Sequence, residues 1–460
     1  MNLDVMFNPK SVALIGASNK PHSVGNGIAR NLISGGIFSS HYNVPFKGKI
    51  YFVNPNYDYV ASRKCSKNIL DIKENVDLAI IAVNAKAVLG VVKECIDKGV
   101  KGIVVISAGF GEMGEEGKRL EEAMAFLAKN ANIPLIGPNC LGIINTSAIN
   151  ATFAPASPKN GNISFITQSG AIADSIIDWS LTSNYGFNKL ISYGNGAMLD
   201  VTDFLNYLSQ DKGTKAIAVY LESVRDGRKL MDAIKQCSKP VVILKGGRTD
   251  QGNMAASTHT GSIATSYDIY HAAFKQSGAI VANTVEELFE SARLLALGYS
   301  CKGNNIGVIT NGGGCGVLTA DYCVESSVHL AAIHSDTLEV LDKSGKMHPA
   351  YSHSNPLDLV GDALPERYEL AINALLNQKD IHGLIVIQTM QTMTQPIEDA
   401  KVIVAASKKF KNKPILAVFM GGKITRVGKV YLESCNIPCY DFPEDAVFAM
   451  KVLIEFGKRK

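Results

Sequence analysis

Short runs of β-branched and other apolar residues recur along the whole chain, each followed by a stretch of helical character, and this alternation leaves few folds open. Parallel strands need a long crossover, usually a helix, so the pattern predicts an α/β chain of doubly wound parallel sheets with helices on both faces. A first set of strands is read at Ser11 to Ile15, Ile50 to Val53, Leu78 to Val83, Gly102 to Ile106 and Pro134 to Ile136. Ala154 to Asn162, with its Pro, Ser and Asn, reads as a linker. A second set follows at Ile163 to Thr167, Leu190 to Ser192, Ala216 to Tyr220, Val241 to Lys245 and Ala279 to Val281. After a helical stretch from Val285 to Leu297 and a polar break from Ser300 to Asn305, a third set comprises Ile306 to Thr310, Leu384 to Gln388, Ile415 to Phe419 and Cys439 to Asp441. Three successive domains are expected, at 1–150, 155–298 and 303–460, and 460 residues suit three domains of about 150.

Composition narrows the function classes. A charged fraction of 19% and an apolar fraction of 46% belong to a folded soluble chain, and no apolar run approaches the roughly 20 residues that span a bilayer. The net charge of +4 is spread thinly, so no nucleic-acid footprint is expected. Nine cysteines are scattered without a C-x-x-C, and Met1-Asn2-Leu3-Asp4 has neither a basic stretch nor an apolar segment behind it. These features predict reduced thiols, a cytoplasmic location and no export. Cys435 and Cys439 are the closest pair, but no His neighbours them at zinc-ligand spacing, so no metal site is expected.

Three glycine-rich turns stand at strand ends. The first reads Gly16-Ala17-Ser18-Asn19, with Val24-Gly25-Asn26-Gly27 opening the next helix. Small residues there admit a phosphate close to the backbone, where a helix N-terminus offers N–H groups and a positive dipole end. A dinucleotide fingerprint would read G-x-G-x-x-G with a carboxylate closing the second strand. That strand ends instead in Phe52-Val53-Asn54-Pro55, which does not fit NAD. The second turn, Gln168-Ser169-Gly170-Ala171, puts a hydroxyl and a glycine at a helix start; this suits a phosphoryl group, although Ser is also an ordinary N-cap. The third is Asn311-Gly312-Gly313-Gly314, before a helix from about Gly316, where consecutive glycines cost backbone entropy unless close approach is needed.

Between the second and third turns lies Ala255-Ala256-Ser257-Thr258-His259-Thr260-Gly261-Ser262, read as a polar loop with no apolar face for His259 to join. A ring nitrogen placed there could be presented to a ligand. Taken in order, the first glycine turn, G-P-N-C at Gly137 to Cys140, S-Q-S-G-like Thr167 to Gly170, E-S at Glu222-Ser223, S-T-H-T-G-S around His259 and N-G-G-G from Asn311 resemble the NDP-forming acyl-CoA synthetases, relatives of succinyl-CoA synthetase. The resemblance covers practically the whole chain.

It implies a Rossmann-like CoA-binding domain followed by two flavodoxin-like domains. It further implies that His259 takes a phosphoryl group from an acyl phosphate formed from acyl-CoA and phosphate, and passes it to ADP. Glu222 is implied as the carboxylate that bonds the other ring nitrogen, and Ser169, Gly170, Gly312, Gly313 and Gly314 as phosphate-binding. Asn139 and Cys140 are implied at the acyl site; Cys140 is not expected as a nucleophile, since no His or carboxylate stands beside it to lower its pKa. For CoA, the resemblance implicates Gly16, Ala17, Ser18, Val24 and Gly25, then Val53, Asn54 and Pro55, then Ala82, Val83 and Asn84, and finally Ser107, Ala108, Gly109 and Phe110. Family members often carry Pro where Asn84 stands and Ser where Thr258 stands.

The family needs an ATP-grasp module, for which no segment is found. A separate ATP-grasp beta subunit that binds ADP or ATP and Mg is therefore expected, in a heterotetramer of two of each. The expected reaction is that of an ADP-forming acetate or acyl-CoA ligase, with the acid and the choice of ADP over GDP left open. A CoA-binding regulatory protein without ligase activity and an NAD-dependent oxidoreductase are the alternative classes.

Overall fold

The computed structural model describes residues 1–183, 185–260 and 266–459, with 257–260 described by backbone alone. It is an α/β protein in which the chain divides into two compact units, Met1–Ala296 and Leu297–Lys460.

The first unit holds two sheets. The strands of the first are β1 (Ser11–Ile15), β2 (Lys49–Val53), β3 (Tyr59–Val60), β4 (Arg63–Ser66), β5 (Leu78–Ile81), β6 (Gly102–Val105) and β7 (Leu135–Ile136), in the order β3-β4-β2-β1-β5-β6-β7. All its pairs are parallel except β3 with β4. β1, β5 and β6 are buried at every position because helices cover both faces, which is why they read as unbroken apolar runs. The second sheet contains β8 (Gly142–Asn145), β9 (Ile149–Thr152), β10 (Asn160–Thr167), β11 (Phe187–Ser192), β12 (Ala216–Leu221), β13 (Val241–Lys245) and β14 (Ile280–Ala282). Their order is β14-β13-β12-β10-β11-β8-β9.

β8 and β9 have no counterpart in the sequence reading. β8 pairs antiparallel with β11 and β9 antiparallel with β8, so the chain leaving the first sheet becomes an edge of the second. The segment read as a linker shortens accordingly, because β10 already begins at Asn160. One apolar cluster runs through both sheets, from Phe7 and Leu14 to Ile191 and Phe204. The buried Asn31, on the helix Val24–Ser34, donates to the carbonyls of Thr152 (2.7 Å) and Ala154 (2.9 Å) and fastens that helix to the end of β9.

The second unit is one sheet, β15 (Asn305–Thr310), β16 (His329–Leu330), β17 (Leu357–Asp358), β18 (Gly383–Thr389), β19 (Ile415–Met420) and β20 (Cys439–Tyr440), all in parallel pairs. Beneath the end of β18, Gln388 and Asp399 are both buried, and the Gln388 side-chain amide donates to Asp399 Oδ2. The other two oxygens, Gln388 Oε1 and Asp399 Oδ1, find no partner among the described residues. Burial pushes the Asp399 carboxyl up to about 7, against the lowering effect of the Gln388 hydrogen bond.

A native pKa raised above the unfolded value means that the folded state holds its proton longer, so this site favours folding at acid pH and loses that contribution as pH rises toward 7. Asp399→Asn keeps an acceptor for Gln388 and adds a donor for Gln388 Oε1. It should stabilise this unit at pH 8 by on the order of 1–3 kcal/mol and change little at pH 4, as read from chemical unfolding at the two pH values.

Candidate active site

The first glycine turn is shaped by backbone packing on backbone. Gly16 has φ +95°, and a Cβ there would lie 2.2 Å from the Ala82 carbonyl oxygen; a Cβ at Gly25 would lie 2.0 Å from the Gly16 carbonyl oxygen. Only glycine permits either approach. The Gly16 N–H donates to Val53 (2.9 Å), the Asn54 side chain to the Ala17 carbonyl (2.9 Å), and the Asn26 side chain to the Ser18 carbonyl (3.0 Å). Ser23 caps the helix that follows, accepting from the Asn26 N–H. Asn54 thus braces the turn from the strand where a dinucleotide fold would carry its carboxylate.

Neighbouring strand ends close the same side. Ser107 Oγ donates to the Val83 carbonyl (2.5 Å) and accepts from the Val83 N–H (3.1 Å). The N–H groups of Gly109 and Phe110 donate to Glu112 Oε1 at 2.6 and 3.2 Å. Asn84 accepts from the Lys86 N–H as the N-cap of Ala85–Lys98, which occupies its side chain locally. Ala17, Val53 and Phe110 put their side chains into the apolar cores, so what they present to a ligand is backbone; Pro55 is exposed.

Beyond β7 the chain turns through Gly137-Pro138-Asn139-Cys140. Asn139 has φ +55°, its N–H donates to the Ser107 carbonyl (2.8 Å), and its side chain donates to Asn195 Oδ1 (3.2 Å). Asn195 in turn donates to Glu112 Oε2 (2.8 Å) and Glu121 Oε2 (2.9 Å), and Arg225 lies 3.5 Å from Glu121. Cys140 is buried with its thiol against the Val105 carbonyl (3.2 Å), and burial pushes that thiol up to about 12. A thiol so far from ionisation at neutral pH is a poor nucleophile.

From the second sheet, Ser169 caps the helix Gly170–Thr182 by accepting from the Ile172 N–H (3.3 Å). Gln168 Oε1 accepts from the N–H groups of Glu222 (2.5 Å) and Ser223 (3.0 Å), so the turn Thr167 to Gly170 and the E-S motif are clamped to each other. Tyr220 makes a hydrogen bond to the Glu222 carboxylate.

These pieces meet. A cavity of about 590 Å³ has Val24, Ala82, Val83, Ser107 and Ala108 from the first sheet on its wall. Asn139 and Cys140 lie at the junction, and Ser169, Gly170 and Glu222 come from the second sheet. Phe153, Asn195 and Asp174 also line it and were not singled out in the sequence. Asp174 had one available signal: it follows Gly170 by four residues, on the same stripe of the helix.

The segment carrying His259 departs from expectation. It is not a loop but the helix Asp250–Thr260, which packs against the turn Gly111–Met113 next to Ser107–Phe110; the His259 side chain, and Gly261 and Ser262 altogether, lie outside the described residues. Thr249 starts this helix, its Oγ1 accepting from the Gly252 N–H (3.1 Å), with Asp250 in the first turn. Gly312, Gly313 and Gly314 belong to the second unit, where Gly312 is the N-cap of Gly313–Glu325, three residues earlier than read. A Cβ would lie 3.0 Å from Thr389 at Gly312 and 2.9 Å from Asp358 at Gly313, whereas at Gly314 it would meet nothing within 4 Å.

Known proteins share this domain order and fold. Family models match in order along the chain: a CoA binding domain at 10–146, a succinyl-CoA ligase like flavodoxin domain at 160–295 and a ligase-CoA domain at 306–453. The acetate–CoA ligase [ADP-forming] II subunit alpha of Pyrococcus furiosus is 42% identical, over 99% of this chain and 98% of that one. An acetate–CoA ligase [ADP-forming] I of Archaeoglobus fulgidus is also 42% identical, and this chain spans 64% of it. Among solved structures, the dinucleotide forming acetyl-coenzyme A synthetase 1 of Ca. Korarchaeum cryptofilum, in complex with phosphate and ADP, superposes with a TM-score of 0.88 at 35% identity. That alignment covers 100% of this chain and 97% of the other.

Fold and domain order thus define a CoA-dependent acid–thiol ligase of the succinyl-CoA ligase type. Within that class, the chain belongs to the ADP-forming acetate–CoA ligase family and aligns end to end with an alpha subunit.

The buried thiol gives a direct test. At pH 7, a thiol reagent should modify the partly exposed Cys315 and Cys435 well before Cys140, and Cys140→Ala should keep CoA protection against thermal unfolding. Peptide mapping of the modified chain and a melting curve with CoA check both outcomes.

Proposed function

We propose that this chain is the CoA-binding, phosphohistidine-carrying subunit of an ADP-forming acetate or acyl-CoA ligase, converting acyl-CoA, phosphate and ADP to acid, CoA and ATP with a partner. The observation that carries this reading is the cavity on whose wall Val24, at the start of the helix after the first glycine turn, the strand ends at Ala82-Val83 and Ser107-Ala108, Asn139 and Cys140, Ser169 and Glu222 meet. CoA lies against Val24 and the ends of β1, β5 and β6, where the Gly16 and Gly25 cradle brings backbone close to its pyrophosphate. Its thioester reaches Asn139, whose amide Asn195 holds in place. Phosphate sits at the N-terminus of Gly170–Thr182 and attacks the thioester carbon there.

His259 then attacks the phosphorus of the acyl phosphate, releasing the carboxylate. A neutral imidazole is the nucleophile near pH 7, and Glu222 bonds the far ring nitrogen, fixing the tautomer and stabilising the positive charge that develops. Gly312, Gly313 and Gly314 receive the phosphoryl group later in its passage, and Gly314, which no neighbour crowds, leaves the backbone open to it. The domains fall at 1–150, 155–298 and 303–460 on this reading. ADP or ATP and Mg belong mainly to an ATP-grasp beta subunit in an α2β2 assembly in the cytoplasm; the Pyrococcus relative that this chain matches over 98% of its length is named as a subunit alpha.

Acetyl-CoA with radiolabelled phosphate should label the chain in an acid-labile, base-stable manner, as a phosphoramidate does, and His259→Ala should abolish the label. Glu222→Gln should slow labelling by on the order of a hundredfold or more while leaving CoA protection intact. Label found on another residue, or undiminished in His259→Ala, removes the phosphohistidine from this account.

A further inference from the structure

The cavity wall holds a carboxyl group that the reading above does not use. Asp174 lies on the helix Gly170–Thr182, four residues after Gly170, hence one turn and about 6 Å further along the same helix face. It lines the cavity together with Asn139 and Ser169. Its Oδ1 is sealed from solvent and has no hydrogen-bond partner among the described residues. The remaining ionisable groups on the wall are Glu222 and Cys140; no lysine, arginine or histidine among the described residues lines it. A carboxyl with one oxygen sealed and unpartnered, and no cation on the wall beside it, favours its protonated form, and burial pushes Asp174 up to about 6. A group that gains and loses a proton near neutral pH suits acid–base work.

The thioester step needs such a group. Phosphate enters as HPO4²⁻ and the products are the acyl phosphate dianion and a thiol, so one proton must travel from a phosphate oxygen to sulfur. We propose that Asp174 is a catalytic residue that carries this proton between phosphate and the CoA sulfur. A phosphate oxygen forms a bond to the carbonyl carbon, and the C–S bond breaks with its electron pair going to sulfur. The Asp174 carboxyl gives its proton to that sulfur. The carboxylate so formed takes the proton of the attacking phosphate, leaving RCO–OPO3²⁻ and CoA–SH with Asp174 restored. In the reverse direction, the carboxylate removes the thiol proton as sulfur attacks the acyl phosphate.

The inference rests on the ligase reading, and the two separate cleanly in one experiment. The isolated chain is offered phosphoryl label by two routes, acetyl-CoA with radiolabelled phosphate, which must pass through the thioester step, and radiolabelled acetyl phosphate, which bypasses it. In Asp174→Asn, the first route should slow by at least on the order of a hundredfold. The second should stay within a few-fold of the parent, with CoA protection against unfolding retained. Asp174→Glu should recover part of the first route, which a merely structural role would not predict. Equal rates by the first route in Asp174→Asn and the parent would overturn the proposal, and so would equal loss of both routes in a variant that still melts cooperatively with CoA. Failure of the ligase reading looks different, because neither donor would then label the parent chain, and the proposal would fall with it.

Discussion

The antiparallel ladder between β8 and β11 is the constraint on which the site depends. It pairs Gly142 with Ser192 and Asn145 with Lys189, so the chain leaving β7 is committed to the edge of the second sheet within six residues of Ile136. The turn between them is Gly137 to Leu141, held at both ends: the Asn139 N–H bonds the Ser107 carbonyl of the first sheet, and the Leu141 N–H bonds Ser192 Oγ of the second (3.1 Å). Gly194 closes on it so tightly that a Cβ would lie 2.2 Å from the carbonyl oxygens of both Pro138 and Asn139. A ligand lying across the carboxyl ends of the first-sheet strands therefore meets the helix starts of the second, which is the general position for ligands of open α/β sheets extended over two of them. Held this way, the G-P-N-C turn keeps Asn139 on the cavity wall.

Much of this was visible in the sequence because parallel strands covered on both faces must be apolar throughout. β1, β5, β6, β13 and β15 announce themselves within two residues of their bounds. β8 and β9 do not. Gly142–Asn145 and Ile149–Thr152 are four residues each, mix Asn and Thr with Ile, and are strands because they pair with β11 and with each other, the buried Asn145 and Asn150 bonding Phe7 and Ser157. The helix Asp250–Thr260 was missed for a different reason: Gly252, Asn253, Ser257 and Thr258 are weak helix formers, and the cap signal at Thr249 and Asp250 lay outside the motif that drew attention.

The site itself was legible as motifs and not as contacts. Ser169 and Glu222 were separately visible, yet nothing in the linear order says that Gln168 accepts from the N–H groups of Glu222 and Ser223 and so fixes where the carboxylate starts. Asn195 is in the same position: it matters because Glu112 and Glu121, far away in sequence, take its N–H groups and leave its oxygen for Asn139. Such groups acquire their roles from tertiary neighbours alone.

The same principle divides the carboxyl groups around the cavity. Burial by itself would raise Glu112, but hydrogen bonds from Asn195 and from the N–H groups of Gly109 and Phe110 outweigh it and hold its carboxyl below the usual range. Glu112 is therefore ionised at neutral pH, and its charge orders the Ser107–Phe110 turn and the Asn195 amide. Asp174 is also partly buried, but no donor answers its Oδ1, and burial prevails. One side chain class thus serves as a fixed charge at the rim and as an exchangeable proton on the wall. What separates them is the number of N–H groups each carboxylate can reach, three for Glu112 and none among the described residues for Asp174 Oδ1. A donor introduced beside Asp174 would turn the second kind of group into the first, which is why the missing partner at Oδ1 matters as much as the carboxyl itself.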